Sequence, residues 1–247
     1  ESGLGPPSLA FTAFGTRFDD ADNDGDLDLV VANGAVHLQE GVAAGLSPLC
    51  QSPQFFLNQS GPLGASHLAN QSAPLGASHL AGPRGGPGAP PLGAPLGARH
   101  FAEHFAERSS TAGEVFRRCT VGRGSAHGDV DNDGDGDVLF ANNHDRAWLL
   151  RNDSDGDASW ISAEVLNREG SAATGVTVLA RCGADPPQLR RVRSDGSYAS
   201  ASDPRARFGL GGCDQPAQLR EQWPDGRAAI WSGLMVRRNY LLPRADP

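Results

Sequence analysis

The 247-residue chain contains no lysine, one methionine and four cysteines, and these low counts limit the classes of protein to which it can belong. All 21 basic residues are arginine, a bias that is typical of a GC-rich genome rather than of a binding surface. The formal net charge is −8, which argues against nucleic-acid binding, because the phosphate backbone is bound by a basic patch. No stretch approaches the roughly 20 apolar residues of a membrane-spanning helix, so we expect no membrane span.

The start of the chain also lacks familiar features. Residues 1–4 contain neither the basic region nor the apolar core of a signal peptide, and there is no initiator methionine. We therefore expect a fragment or a processed product of a longer protein. The cysteines are too few for a disulfide scaffold and form no C-x-x-C pair. Cys182 and Cys213 can bridge in an oxidising compartment, with free buried thiols as the alternative.

One acidic nine-residue pattern occurs twice and is the strongest functional signal in the sequence. Residues 20–28 read DADNDGDLD and residues 129–137 read DVDNDGDGD, with glycine at position 6 of each. Calcium takes about 6–8 oxygen ligands from carboxylates, carbonyls and water, and its loops need a glycine at the sharp bend. The spacing therefore predicts two calcium sites. The expected ligands are the side chains of Asp20, Asp22, Asp24 and Asp28 with the carbonyl of Asp26, and the side chains of Asp129, Asp131, Asp133 and Asp137 with the carbonyl of Asp135.

The residues around the loops indicate which calcium module this is. An EF-hand loop has glutamate at position 12, where this chain has Val31 and Phe140. Each loop instead leads into a short apolar run, residues 27–32 and 138–141, that ends at turn residues and predicts a strand. With the preceding residues 14–19, this arrangement resembles the FG-GAP (VCBS-type) repeat, a calcium loop on one blade of a β-propeller. The second copy has His127 where that family usually has an aromatic residue.

Between the two repeats the sequence becomes repetitive. Residues 62–69 recur as residues 74–81, and 16 of the 41 residues from 59 to 99 are glycine or proline. That fraction exceeds the roughly 25–30% that marks low complexity, so we expect a disordered insertion over 59–110 between repeats at 1–58 and 111–157. Residues 101–107 predict a helical turn unless they belong to the insertion, and residues 114–119 predict a strand.

From residue 158 to 247 the pattern changes to short strands without acidic loops. Strands are predicted at 160–166, 175–181 and 189–193, and a hairpin turns at 225–226. The arginine-rich residues 190–193 predict a solvated strand face rather than an anion site. The motifs SDGSYASASD at 194–203, FGLG at 208–211 and WPDG at 223–226 resemble, in order and spacing, the ASPIC/UnbV domain of the cartilage acidic protein 1 family and its bacterial relatives.

The resemblance implies an all-β chain, in which a partial β-propeller of FG-GAP blades with calcium loops precedes a small β-sandwich or barrel-like ASPIC/UnbV domain. No G-x-S-x-G, P-loop or H-E-x-x-H motif occurs, and residues 145–247 contain no histidine, so we expect no enzyme. We expect a calcium-binding, non-catalytic, secreted or cell-surface protein that binds or adheres to an extracellular protein or glycan. The alternative is an accessory subunit that assists a biosynthetic enzyme or a secretion pathway.

Overall fold

A computed structural model describes residues 2–38, 46–59, 104–153 and 156–244. These residues form four sheets, none of them closed, so the predicted all-β class is confirmed. In this part of the chain no helix is long and apolar enough to cross a membrane. The elements are α1 (Gly5–Ser8), β1 (Ala13–Asp19), β2 (Asp28–Asn33), β3 (Gln54–Asn58), β4 (Phe105–Glu107), a 3-10 turn (Glu114–Arg117), β5 (Gly122–Gly128), β6 (Asp137–Asn142), β7 (Trp148–Leu150), β8 (Ser159–Val165), β9 (Thr177–Cys182), β10 (Gln188–Arg191), β11 (Ala206–Gly211), β12 (Ala217–Gln222), β13 (Ala228–Leu234) and β14 (Arg238–Leu242).

The N-terminal half consists of two antiparallel sheets whose strands follow the chain order, β1-β2-β3-β4 and β5-β6-β7. Their apolar faces share one core, in which Val30 from the first sheet and Phe140 from the second are buried with Phe116. The first strands of the two sheets, β1 and β5, lie close together. A side chain at Gly15 would overlap the backbone of Ser125, so this approach requires glycine.

Two local predictions in this half are wrong. Residues 114–117 form a 3-10 turn rather than a strand, because the turn buries Phe116 and brings Arg118 within 2.7 Å of Glu114. Residues 105–107 form strand β4 rather than a helical turn, since the extended backbone pairs with β3. The rest of the predicted insertion, residues 60–103, lies outside the described residues.

The C-terminal half consists of two sheets, with strand orders β10-β9-β12-β13 and β11-β8-β14. All their neighbours are antiparallel except β14, which runs parallel to β8. Both sheets cover one hydrophobic core, in which Ile161, Val178 and Leu219 are fully buried. The predicted hairpin is confirmed as β12 and β13, and the three other predicted strands occur with their ends shifted by one or two residues.

Two disulfide bridges cross-link these halves internally. Cys50 is bonded to Cys119, and Cys182 to Cys213, so the alternative of free thiols does not hold. Beside the first bridge, Gln51 and Thr120 exchange backbone hydrogen bonds of 2.7 and 3.1 Å. This first bridge therefore ties the segment before β3 to the segment before β5.

Candidate metal centre

The two acidic loops occupy the same position in two β-hairpins. Residues 20–28 join β1 to β2, and residues 129–137 join β5 to β6. In both loops the asparagine at position 4 and the glycine at position 6 have positive φ, 57° and 102° in the first and 63° and 102° in the second. The shared backbone explains why the pattern recurs in step, since glycine adopts this conformation without steric cost.

Three carboxylates converge in each loop, at positions 1, 3 and 9. One oxygen from each of Asp20, Asp22 and Asp28 lies within 4.8 Å of the others, and Asp129, Asp131 and Asp137 repeat this arrangement. Positions 1 and 9 are buried and position 3 is exposed in both loops. Like charges at this separation repel each other, so the cluster favours either protonation or a cation.

The position-9 carboxylates are oriented by backbone groups. Asp28 accepts hydrogen bonds from the N–H of Ala21 at 2.9 Å and of Asn58 at 2.7 Å. Asp137 accepts the equivalent bonds from Val130 at 2.7 Å and Asn152 at 2.9 Å. Each loop is thus closed on itself and fastened to a neighbouring strand end by one carboxylate.

The position-1 carboxylates each leave one oxygen without a partner. Oδ2 of Asp20 accepts a hydrogen bond from the N–H of Gly25 at 3.1 Å, and Oδ2 of Asp129 accepts one from Gly134 at 3.1 Å. The Oδ1 atoms of both aspartates are buried and accept no hydrogen bond from the described residues. Buried polar atoms are normally satisfied, so these two oxygens are acceptors open to a proton, a water molecule or a cation on that side.

Burial also changes the protonation of these groups. It raises the pKa of Asp20 to about 8 and that of Asp28 to about 7, because both carboxylates lose water and face other acids. Burial raises the pKa of Asp129 as well. A bound divalent cation would favour the charged forms, and an all-oxygen ligand set is the one that calcium prefers.

The remaining predicted ligands have other contacts. Oδ1 of Asp24 accepts a hydrogen bond from the N–H of Asp26 at 2.8 Å, and Oδ1 of Asp133 accepts one from Asp135 at 2.9 Å. Position 5 thus shapes the turn in both loops; Asp24 is in no carboxylate group, whereas Asp133 forms an exposed second group with Asp131 and Asp153. The predicted carbonyl ligands, of Asp26 and Asp135, remain predictions. The fit is therefore best supported at positions 1, 3 and 9.

The sequence gives no sign that the two loops contact each other. The side chain of Asn23 is buried and donates a hydrogen bond of 2.7 Å to Oδ1 of Asp135 in the other loop. Both loops also have an asparagine at this position, but Asn132 is exposed. Only the packing of the two sheets decides which asparagine is enclosed.

Both loops are also covered by the C-terminal half. Gly209 of β11 donates a backbone hydrogen bond of 3.1 Å to Oδ2 of Asp20. In the second loop, Gly134 lies against the ring of Trp160, and Arg205 donates to the carbonyl of Asp129 at 2.5 Å. Cation binding in the loops would therefore stabilise the contact between the two halves.

Beside the loops, a buried serine, a buried histidine and a partly buried aspartate form a chain of polar contacts. Ser125 Oγ is 2.9 Å from His127 Nε2, and His127 Nδ1 is 3.5 Å from Asp19 Oδ2. Although burial alone would raise the pKa of Asp19, Arg207 and His127 together hold it well below its usual range. This order is that of a hydrolytic triad, but Ser125 is 0% exposed, so its hydroxyl does not reach a substrate.

The comparison with known proteins concerns the C-terminal half. Residues 167–246 match the family model described as ASPIC and UnbV, a range that begins just after β8 and includes the Cys182–Cys213 bridge. No curated protein matches the chain. The match supports the C-terminal domain predicted from the sequence.

Proposed function

We propose that this chain is a calcium-stabilised, non-catalytic binding protein of the extracellular space. The observation that carries the proposal is the repeated loop, in which three carboxylates converge and the position-1 aspartate keeps one buried oxygen without a hydrogen bond. Calcium held by Asp20, Asp22 and Asp28, and by Asp129, Asp131 and Asp137, supplies the missing positive charge. Its role is structural, because the loops join the two halves of the molecule.

We assign the two N-terminal sheets as FG-GAP/VCBS-type propeller blades. Each is an antiparallel meander in chain order, each carries its acidic loop between the first and second strands, and the two sheets pack through a shared core. A propeller needs typically 4–8 blades, so the proposal includes further blades in a longer parent protein. Among the described residues β4 and β7 are edge strands of their sheets, a position that favours pairing or packing with further blades.

An oxidising location follows from the same proposal. Disulfide bridges persist mainly in secreted and cell-surface proteins, and both cysteine pairs of this chain are bonded. The non-catalytic assignment is supported by the burial of Ser125, which removes the one Ser–His–Asp arrangement of the described residues from contact with solvent. The partner would be an extracellular protein or glycan.

The test is a calorimetric calcium titration of the chelator-stripped protein, with thermal melts in chelator and in calcium. We expect about two equivalents of bound calcium and a raised melting temperature, because a ligand bound only by the native state stabilises it. Asp20→Asn and Asp129→Asn should each remove one equivalent. Asp185→Asn, an exposed aspartate outside the loops, is the matched control. Absence of binding, or loss of binding in the control, would refute the metal assignment.

A further inference from the structure

An arginine-lined cavity of about 420 Å³ lies where the N-terminal and C-terminal halves meet. Its walls come from β1, the end of β5, β10 and the residues after it, and β11 and the residues before it, with Leu27 of the first acidic loop. Pockets of about 300–1,000 Å³ accommodate small molecules. The charged residues that line it are Arg17, Arg190, Arg191, Arg193, Arg205, Arg207, Asp19 and Asp203.

Two of these arginines are already neutralised within the wall. Arg207 pairs with Asp19 at 3.3 Å, and Arg205 pairs with Asp203 at 2.6 Å. All four side chains are at most 22% exposed, so the pairs form a fixed part of the cavity. Both aspartates of the lining are thus in ion pairs. The other four arginines of the lining form no ion pair with them.

Arg17 and Arg190 are the important ones, because both are partly buried and neither forms an ion pair among the described residues, although Asp19 lies near Arg17, and Asp20 and Asp19 lie near Arg190. Among the described residues, Arg17 donates only to the carbonyl of Asp195, at 3.2 Å. Arg190 donates to the carbonyl of Leu189 at 3.1 Å and to Oε1 of Gln188 at 3.3 Å. A guanidinium has five N–H donors in a fixed fork, so each side chain keeps several donors for another acceptor.

The geometry holds Arg190 in place. Its guanidinium carbon lies 5.5 Å from the ring centre of Phe208, which supports one face of the group. Burial lowers the pKa of both Arg17 and Arg190, although Asp19 near Arg17, and Asp20 and Asp19 near Arg190, act in the opposite direction. A negatively charged ligand would add to the effect of these aspartates.

The rim adds a third donor group. Arg193 is 48% exposed and has Asp195 at 3.7 Å, a distance that leaves its terminal nitrogens available. Gly196 makes room for this side chain, since a Cβ there would lie 2.6 Å from Arg193 Nη2. The sequence predicted a solvated face for residues 190–193, which holds for Arg191 and Arg193 but not for Arg190.

We propose that this cavity binds a doubly charged oxyanion, a free phosphate or a phosphate monoester, through Arg17, Arg190 and Arg193. Guanidinium groups match the oxygens of phosphate in paired hydrogen bonds, and the lining carries six arginines against two aspartates. The volume leaves space for a small organic group beyond the phosphate. The cavity adjoins the acidic loops, since Leu27 lines it and Asp20 lies near Arg190, but it shares no proposed ligand residue with them.

The test is a calorimetric titration of the full chain with inorganic phosphate and with a sugar phosphate. It is performed in chelator, so that calcium phosphate does not form, and at constant ionic strength set with sodium chloride. We expect saturable binding with one equivalent and a higher melting temperature. Tighter binding of the sugar phosphate identifies a monoester site, and equal or tighter binding of inorganic phosphate identifies a free-anion site.

Three variants locate the site. Arg17→Gln and Arg190→Gln should each weaken binding by about tenfold or more, as expected for a charge-assisted hydrogen bond. Arg193 lies at the exposed rim of the cavity. We therefore expect Arg193→Gln to keep the fold even where Arg17→Gln or Arg190→Gln unfolds the protein. Arg220→Gln, on the exposed face of β12, is the control and should bind as the unmodified protein does.

Three results would overturn the proposal. They are a phosphate response no larger than that of sodium chloride at equal ionic strength, equal weakening by the Arg220 control, and unchanged binding after substitution of Arg193. Because the phosphate titration contains no calcium, it does not require occupied metal sites. Failure of the calcium titration and failure of this one are therefore distinguishable.

Discussion

Replacement of Asp20 by asparagine should change stability in opposite directions with and without calcium. In the calcium-free protein, Oδ2 of Asp20 accepts hydrogen bonds from Gly25 and Gly209, both at 3.1 Å, while Oδ1 is buried without one. Burial raises the pKa of this carboxyl to about 8. At pH 9 the folded protein therefore holds a buried charge, which asparagine removes while keeping a carbonyl oxygen for the two N–H groups.

The pKa gives the size and the sign of the effect. A rise from 3.8 in the unfolded chain to about 8 corresponds to at most about 5–6 kcal/mol, at roughly 1.4 kcal/mol per pKa unit. Because the folded pKa is the higher one, the stabilising contribution of the protonated carboxyl is present below pH 3.8 and is lost as the pH rises through about 8. With local relaxation we expect Asp20→Asn to stabilise the calcium-free protein by about 1–3 kcal/mol at pH 9, and to be nearly neutral at pH 5.

Calcium should reverse the order of the two proteins. A ligand at 100 times its dissociation constant stabilises the native state by about 2.7 kcal/mol per site. The unmodified protein gains this at loop 20–28, whereas the variant has lost the position-1 ligand. In saturating calcium we therefore expect Asp20→Asn to be the less stable protein.

Urea unfolding followed by tryptophan fluorescence measures both effects. The curves are recorded at pH 5 and pH 9, in chelator and in calcium, with Asp185→Asn as a variant of equal charge change. A variant that is less stable than the unmodified protein in chelator at pH 9 would show that the buried charge is not the dominant cost. Equal stabilisation of both proteins by calcium would exclude loop 20–28 as a site.

Three further perturbations probe the packing around the site. Gly134→Ala should destabilise the fold by about 3 kcal/mol or more, because φ is 102° and a Cβ would overlap the Trp160 ring. Gly212→Ala is its control, since a Cβ there meets no atom within 4 Å. Equal urea midpoints for the two variants would contradict this prediction. Glu221→Gln should cost about 2 kcal/mol and shift tryptophan emission, because each carboxylate oxygen accepts an indole N–H, at 3.1 and 2.9 Å, and an amide nitrogen does not. Exposed Glu164→Gln is its control, and an unchanged emission spectrum would refute the contact. Reduction of the two disulfide bridges, with separations of 69 and 31 residues, should lower the free energy of unfolding by about 4 kcal/mol each in urea melts, and an unaltered midpoint would show that they do not stabilise the fold.

Local patterns were enough to predict much of the chain. The β12–β13 hairpin follows from an Asp-Gly turn between alternating strands, and both acidic loops were found from spacing alone. Prediction was wrong where the conformation of a short segment depends on contacts with residues far away in the sequence. Residues 105–107 pair with β3, and Phe116 packs into the core. Neither interaction can be predicted from the residues next to it in the sequence.

The sequence by itself determined the composition of the two candidate metal loops, the all-β class and the match of residues 167–246 to the ASPIC and UnbV model. It did so because ligand spacing, strand periodicity and turn chemistry operate over about ten residues. The tertiary structure alone decided that Asn23 reaches Asp135, that β11 covers Asp20, and that Arg17 and Arg190 line the same cavity. These contacts join residues that are 112 to 189 positions apart, and their formation depends on how four sheets pack rather than on any local preference.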